Sequence, residues 1–327
     1  MAFANSAISD IIATTIQSRT GVVADNVTDN NALLKRLQQR GRIKPWRGGN
    51  VILQELSFQD NGTAMYYSGA EVLNISAQDV ISAAQYDPKQ AAVAVTLTGL
   101  EMLQNSGEEA FIDLLDARIE VAESSLQNLI STGLYSDGTG SGGKQITGLQ
   151  AQVVQTPTSG VVGGIDRSVW SFWRNQRYDI GSSLSASASA TNILTAFNTI
   201  YAACRRGTDV PDLVIVDNTF WGFYLGSQQT VQRFSNESDM AKAGFITLKY
   251  MNADVVLDGG IGGNCPSKSA YFLNTNYLHW RPHADRNFVP IGDERMSTNQ
   301  DAIVRLVGFA GNLTASGLQF QGLAFDD

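Results

Sequence analysis

The clearest hydrophobic pattern in the chain lies between residues 106 and 133. Phe111, Leu115, Ala122, Leu126 and Leu129 fall on one stripe at alternating steps of three and four, interrupted by Arg118. Ser106 and Glu109 have the spacing of a capping box, and acidic residues crowd the first turns, where the helix dipole favours them. Gly133 is the expected left-handed stop. At about 1.5 Å per residue this predicts one rod of roughly 40 Å, well beyond a typical globular helix. Such a rod suits a scaffold, and nothing on it resembles a reactive centre.

Around it the pattern predicts mixed elements. Ile8, Ile11, Ile12 and Ile16 suggest a short helix, and Ala32–Gln39 a second. Val51, Leu53, Leu56 and Phe58 are strand-like, Asp60-Asn61-Gly62 is a hairpin turn, and 64–67 and 72–75 continue the extended pattern. Residues 91–98 alternate as a strand should. After a low-complexity Ser/Ala linker comes an αβα run: a helix over 191–206 with Ile193, Phe197, Ile200 and Cys204 on one face and Gly207 as its stop, a strand at Leu213–Val216, and a helix over 218–225. Strands follow at 246–248, 254–257, 302–309 and 318–325.

Residues 48–90 stand out because more than forty residues pass with few helix signals. A lone two-stranded ribbon is marginal in water. Met65, Tyr66, Tyr67, Val72, Leu73 and Ile75 would leave it with bare apolar surface, so the ribbon is expected to lie across another molecule. Phe58, Asn61, Met65, Tyr66, Tyr67, Val72 and Leu73 are the candidate contact residues.

Charge adds a second feature. The net charge is −8, which argues against nonspecific nucleic-acid affinity for the whole molecule. Yet Lys35, Arg36, Arg40, Arg42, Lys44 and Arg47 form a basic cluster with no acid between them. Taking those six from the 23 basic residues leaves 17 against 31 acidic ones. The cluster suits a neighbour's acidic surface or a solvated face, and alternatively packaged nucleic acid. No apolar run is long enough for a membrane span, and the start lacks the pattern of a signal peptide. Two distant cysteines, Cys204 and Cys265, fit a reducing compartment.

Candidate chemistry is thin. Gly138, Gly140 and Gly143 fit G-x-G-x-x-G, and Gly138 to Lys144 fits G-x-x-x-x-G-K. Both motifs need a strand before and a helix after; here a helix precedes, an extended segment follows, and Gln145 stands where Ser or Thr would hold magnesium. A nucleotide-binding enzyme built on Gly138–Lys144 is therefore the weakest alternative. The second glycine loop, from Asp258 to Pro266, reads as surface loop. His279 and His283 have helical metal-pair spacing, but Pro282 stops a helix there and no C-x-x-C accompanies them. Trp170, Phe172 and Trp173 suit packing better than base stacking. No cofactor, metal or catalytic residue is expected.

The order of these elements, with YYSGAE, AAQYDPKQAAVAVTLTGLEMLQNSGEE, LLDARIEVAE, STGLYSDGTG, GGIDRS and SFWRN over residues 66–175, resembles the tailed-bacteriophage major capsid proteins of Hong-Kong-97-like fold. The resemblance implies an α+β fold in four parts: an N-terminal arm (1–47), an extended β-hairpin loop (48–90), a peripheral domain with a spine helix (91–149 and 291–327), and an axial domain (150–290). It implies a structural shell subunit that forms hexamers and pentamers in the virion, assembled in the host cytoplasm. The implied partners are itself, a portal, a decoration protein and packaged double-stranded DNA on the inner face, with no membrane. Some relatives cross-link through a lysine on the extended loop; no lysine lies between Arg47 and Gln85, so none is expected there. The arm leads directly into the fold, which implies a separate scaffolding protein unless the chain is already a cleaved form. A bacterial nanocompartment shell, encapsulin-like, is the alternative on the same fold.

Overall fold

A computed structural model describes residues 31–104, 108–228, 247–259, 263–291, 295–296 and 301–327. The helix expected around Ile8 to Ile16 and Ser106 of the capping box lie outside these residues. The described elements are α1 (Ala32–Gln39), β1 (Ile52–Ser57), β2 (Ile81–Tyr86), β3 (Lys89–Thr98), α2 (Gly99–Gln104), α3 (Glu108–Gly133), β4 (Val161–Val162), β5 (Ile165–Asp166), β6 (Gln176–Asp179), α4 (Ile180–Leu184), α5 (Ile193–Ala203), β7 (Leu213–Val216), α6 (Asn218–Gln228), β8 (Thr247–Tyr250), β9 (Ala253–Leu257), β10 (Ser269–Leu273), β11 (Leu278–Pro290), β12 (Arg295–Met296), β13 (Ala302–Ala315) and β14 (Gly322–Phe325).

Two sheets carry the fold. The first has six strands in the order β6-β14-β10-β7-β9-β8. Its central strands are apolar on both faces, as a doubly covered sheet requires. Val214, Val216, Val255, Ala270, Phe272 and Ala324 face α5 and α6, where Phe197 and Tyr224 stack. Leu213, Ile215, Val256, Tyr271, Leu273, Leu323 and Phe325 face the other way and share a core with α1 and the end of α3. The second sheet is built on the long β13, with β3 along one side and β11 and β12 along the other.

The 150–290 and 291–327 boundary does not follow the sheets. β11, before residue 291, pairs with β13, while β14, after it, completes the six-stranded sheet. The chain crosses between sheets in both directions, so a cut at residue 290 separates paired strands.

The long helix α3 is present; of the expected stripe Ala122 and Leu126 are buried and Leu129 is not, and Phe111 and Leu115 lie outside the described side chains. Ala122, Leu126, Ile130 and Leu134 are buried; Leu129 and Val121 are 53% exposed. The stripe drifts because steps of four outnumber steps of three near its end. Arg118 is no interruption: it bonds the Thr96 carbonyl at 2.6 Å and pairs with Glu101 at 2.6 Å, tying α3 to β3 and α2. Gly133 is not a left-handed stop either but the last residue of the helix. The returning chain caps the end instead, with Leu149 N–H donating to the Leu134 carbonyl at 2.7 Å. Gly148 permits this approach, since a Cβ there would come within 2.5 Å of that oxygen. Helix α5 is shorter than the 191–206 expected, and Gly207, at φ +62°, serves the turn beyond it.

Arg36 fixes the arm to this core. It lies on the buried face of α1 beside Leu33 and Leu37. Its Nε meets Asp212 at 3.0 Å and its Nη1 meets Asp254 at 3.4 Å, at the adjacent starts of β7 and β9. Arg40 reaches Asp212 at 3.4 Å from a more exposed position. Removing one partner of a buried pair strands the other charge, at a cost of about 3–5 kcal/mol. Arg36→Ala is therefore expected to lower the unfolding free energy in urea by roughly that amount. A loss below about 1 kcal/mol, the range of surface pairs, would refute the clamp.

Candidate functional site

The extended loop leaves the core through β1 and β2. Ile52, Gln54 and Leu56 point inward while Leu53, Glu55 and Ser57 point out. The antiparallel register runs from Ile52↔Tyr86 to Ser57↔Ile81, and Phe58 N–H extends it by donating to the Val80 carbonyl at 3.2 Å. Phe58 is half-buried and packs on Trp170 and Phe172 of its own chain, at 5.8 and 6.0 Å between ring centroids. It is thus a root of the loop within its own chain. Trp173 next to it is fully buried, its indole donating to the Val162 carbonyl.

Beyond Phe58 the ladder ends. Asn61 organises a turn, its side chain accepting from Thr63 N–H at 3.0 Å and its carbonyl from Ala64 N–H. It is not the tip of a hairpin: 64–67 and 72–75 form no strand, and the paired strands are β1 and β2, much further apart in sequence. An Asn-Gly pair followed by a strand-like run was insufficient, because no facing strand returns within reach of that turn. The hydrogen bonds of residues 61–76 are local, such as Ser68 N–H to Glu71 and Ser76 N–H to Asn74. Tyr66 is fully exposed, Val72 and Ile75 are each 92% exposed, and Met65, Tyr67 and Leu73 are also open. Single exposed apolar residues are ordinary; a contiguous set on a protruding loop marks an interaction surface.

The basic cluster divides in three. Arg36 turns inward to Asp212 and Asp254, and Arg40 reaches Asp212 while its side chain stays exposed. Arg42, Lys44 and Arg47 continue along a strap that covers the edge of β11. Trp280 N–H donates to the Arg42 carbonyl, Lys44 N–H to the Trp280 carbonyl and Trp46 N–H to the Pro282 carbonyl, at 2.8–3.1 Å. Trp46 meets His283 edge-on at 4.8 Å. Lys35 stays half-exposed on α1, above a groove of about 230 Å³ lined by Leu34, Ile43, Trp280 and Phe288. No described ion pair involves Lys35, Arg42, Lys44, Arg47 or Arg281.

The alternatives for chemistry find no support among the described residues. Gly138 to Lys144 is an exposed turn with left-handed Ser141, Gly142 and Gly143, packed by Lys89 on the Gly143 carbonyl at 2.7 Å. His279 and His283 lie on a strand rather than a helix, and no His/Cys/Asp/Glu group has metal-binding geometry. Both cysteines are free, and burial pushes the Cys204 thiol up to about 12, which leaves it unreactive at neutral pH. No described helix is long and apolar enough to cross a membrane.

The residues that sequence reading missed are Trp46, which lies in the strap, and Arg281, which joins it from β11; His279, read there only as a possible metal ligand, sits beside Arg281 on the same strand. Their signal was the proline-interrupted run 278–290, which looked unlike a strand because Pro282 sits on its edge; its lost N–H faces the strap, whose Trp46 N–H bonds the Pro282 carbonyl.

No family model matches the chain, and no curated protein matches it. Solved structures do. The cyanophage A-1(L) capsid asymmetric unit aligns at 13% identity over 93% of this chain and 96% of that one, with a TM-score of 0.67. The capsid of a native GTA particle aligns at 11% identity over 88% and 89%, with a TM-score of 0.57. The SrpI encapsulin of Synechococcus elongatus PCC 7942 aligns at 8% identity over 95% and 94%, with a TM-score of 0.51. The class is thus settled at the level of fold: an α+β shell-protein fold. It is the Hong-Kong-97-like fold that the sequence resembles.

Within the strap, burial and then the charges of Lys44, Arg42 and Arg281 depress His279 from its ordinary 6.5 to about 4. A depressed folded value means stability that is full above pH 6.5 and lost as pH falls towards 4. Thermal melts at steps from pH 7 to 4 should therefore fall more steeply for the natural chain than for His279→Gln. Parallel curves would show that His279 carries no such load.

Proposed function

We propose that this chain is the major capsid subunit of a tailed bacteriophage, assembling into hexamers and pentamers of an icosahedral head around double-stranded DNA. The observation that carries this is the loop of residues 59–79, rooted by its own ladder and by Phe58 yet offering Tyr66, Tyr67, Val72 and Ile75 to solvent. Burying such side chains against a neighbour is worth about 1.5–3 kcal/mol each before the cost of ordering the loop. One such contact is modest. Repeated around every subunit of a closed shell it becomes decisive, because each later contact forms between partners already held together. The fold shared with the cyanophage capsid supports the same reading. The chain acts mechanically, without a catalytic step, and scaffolding, portal and decoration proteins are its further partners in this reading. The encapsulin likeness keeps a nanocompartment as the second reading. Nuclease-resistant DNA inside particles supports the first, and a single enriched enzyme the second.

The direct test replaces residues 59–79 by Asn-Gly, a two-residue turn that suits the ends of the β1–β2 ladder. The subunit should keep its thermal midpoint, since it loses no buried apolar residue, and should yield no shells in negative-stain images. Normal shells from this variant would remove the loop from the assembly mechanism.

A further inference from the structure

Asn61-Gly62 is the only Asn-Gly pair in the chain. Such a pair ordinarily serves a tight hairpin, where both residues take a left-handed backbone that glycine tolerates best. Here neither Asn61 nor Gly62 has a positive φ. A Cβ on residue 62 would meet only the end of the Gln78 side chain, at 3.5 Å, an ordinary contact. The fold therefore makes no demand for glycine at this position. What glycine still supplies is a backbone nitrogen with no side chain beside it. Both residues are exposed, and no described hydrogen bond occupies the Gly62 N–H.

The neighbouring side chain is prepared as an electrophile. Asn61 Oδ1 accepts from Thr63 N–H at 3.0 Å and from the Thr63 hydroxyl at 2.8 Å. Two donors on one carbonyl oxygen draw electron density from Cγ and stabilise the negative charge that develops there under attack. The Asn61 main-chain carbonyl accepts from Ala64 N–H at 3.1 Å, which closes the turn around the pair. We propose that Asn61 is a self-modification site, where the Gly62 nitrogen attacks Asn61 Cγ with Thr63 as the oxyanion donor and converts the residue to aspartate and isoaspartate. Hydroxide or water takes the proton of the Gly62 nitrogen as the N–Cγ bond forms. The Cγ–Nδ2 bond breaks, and Nδ2 leaves as ammonia from a five-membered cyclic imide. Water then opens the imide. Cleavage of N–Cγ gives aspartate; cleavage between that nitrogen and the main-chain carbonyl carbon gives isoaspartate, which carries the backbone through an extra methylene. One water is consumed and one ammonia released, with no oxidant or reductant. Residues 59–79 hold three carboxylates, Asp60, Glu71 and Asp79, and no lysine or arginine; the reaction adds a fourth carboxylate beside the first. It marks how long a subunit has stood with this loop open, and it does not depend on the shell reading.

The natural full-length chain, Gly62→Ala and Thr63→Val are incubated at pH 7 and pH 8, at a dilution where light scattering shows single subunits. Peptide mass spectrometry reads the conversion, and isoaspartyl methyltransferase labelling reads the rearranged product. Thermal midpoints should agree, since none of the three residues is buried. In the natural chain Asn61 should convert before any other asparagine, and faster at pH 8, where the Gly62 nitrogen gives up its proton more readily. Gly62→Ala should slow the conversion by about tenfold or more, because a Cβ hinders the approach of the nucleophile. Thr63→Val should slow it by about threefold or more in the folded chain, well short of the loss of a buried oxyanion donor. After unfolding in urea the Thr63→Val and natural chains should convert at the same rate. The assignment is overturned if Asn61 stays intact while other asparagines convert, or if Gly62→Ala converts as fast as the natural chain. It is equally overturned if Thr63→Val changes nothing in the fold, or slows the reaction as much in urea, where the turn no longer exists.

Discussion

The structure depends on a sheet that must be covered twice. Every residue of β7, β10 and β14 is buried, with side chains alternating between two apolar environments. One face is closed by α5 and α6, which follow and precede the strands they cover. The other needs elements from distant parts of the chain: α1 from the arm, the end of α3, and the second sheet. Arm, spine and sheet are held in one core by this demand alone.

The Arg36 ion pair follows from the same demand. A helix from the arm can lie on the sheet only where its polar positions find partners. The strand starts at Asp212 and Asp254 present two buried carboxylates side by side. Asp212 also accepts from Thr275 N–H at 2.8 Å, and Lys249 meets Asp254 at 2.7 Å. Buried pairs of this kind contribute little net stability compared with apolar packing, but they are intolerant of misplacement. The pair therefore sets where α1 sits, and with it where the strap emerges onto the edge of β11.

How much of this was legible depended on range. Local periodicity revealed α1, β3, α3, α5 and β7, because each is written in a few adjacent residues. The exposure of Tyr66, Val72 and Ile75 was legible too, since a segment with no returning partner cannot bury itself. What failed was everything decided by distant residues. Arg36 looked like one more cation in a basic run; its spacing from Leu33 and Leu37 placed it on the buried face, but the aspartates that receive it lie some two hundred residues away. Leu129 looked buried and Gly133 looked like a stop, because the true end of α3 is set by Gly148 and Leu149 folding back. The strap was half visible: Arg42, Lys44 and Arg47 stood out, whereas Arg281 and His279 join them only through the pairing of the strap with β11.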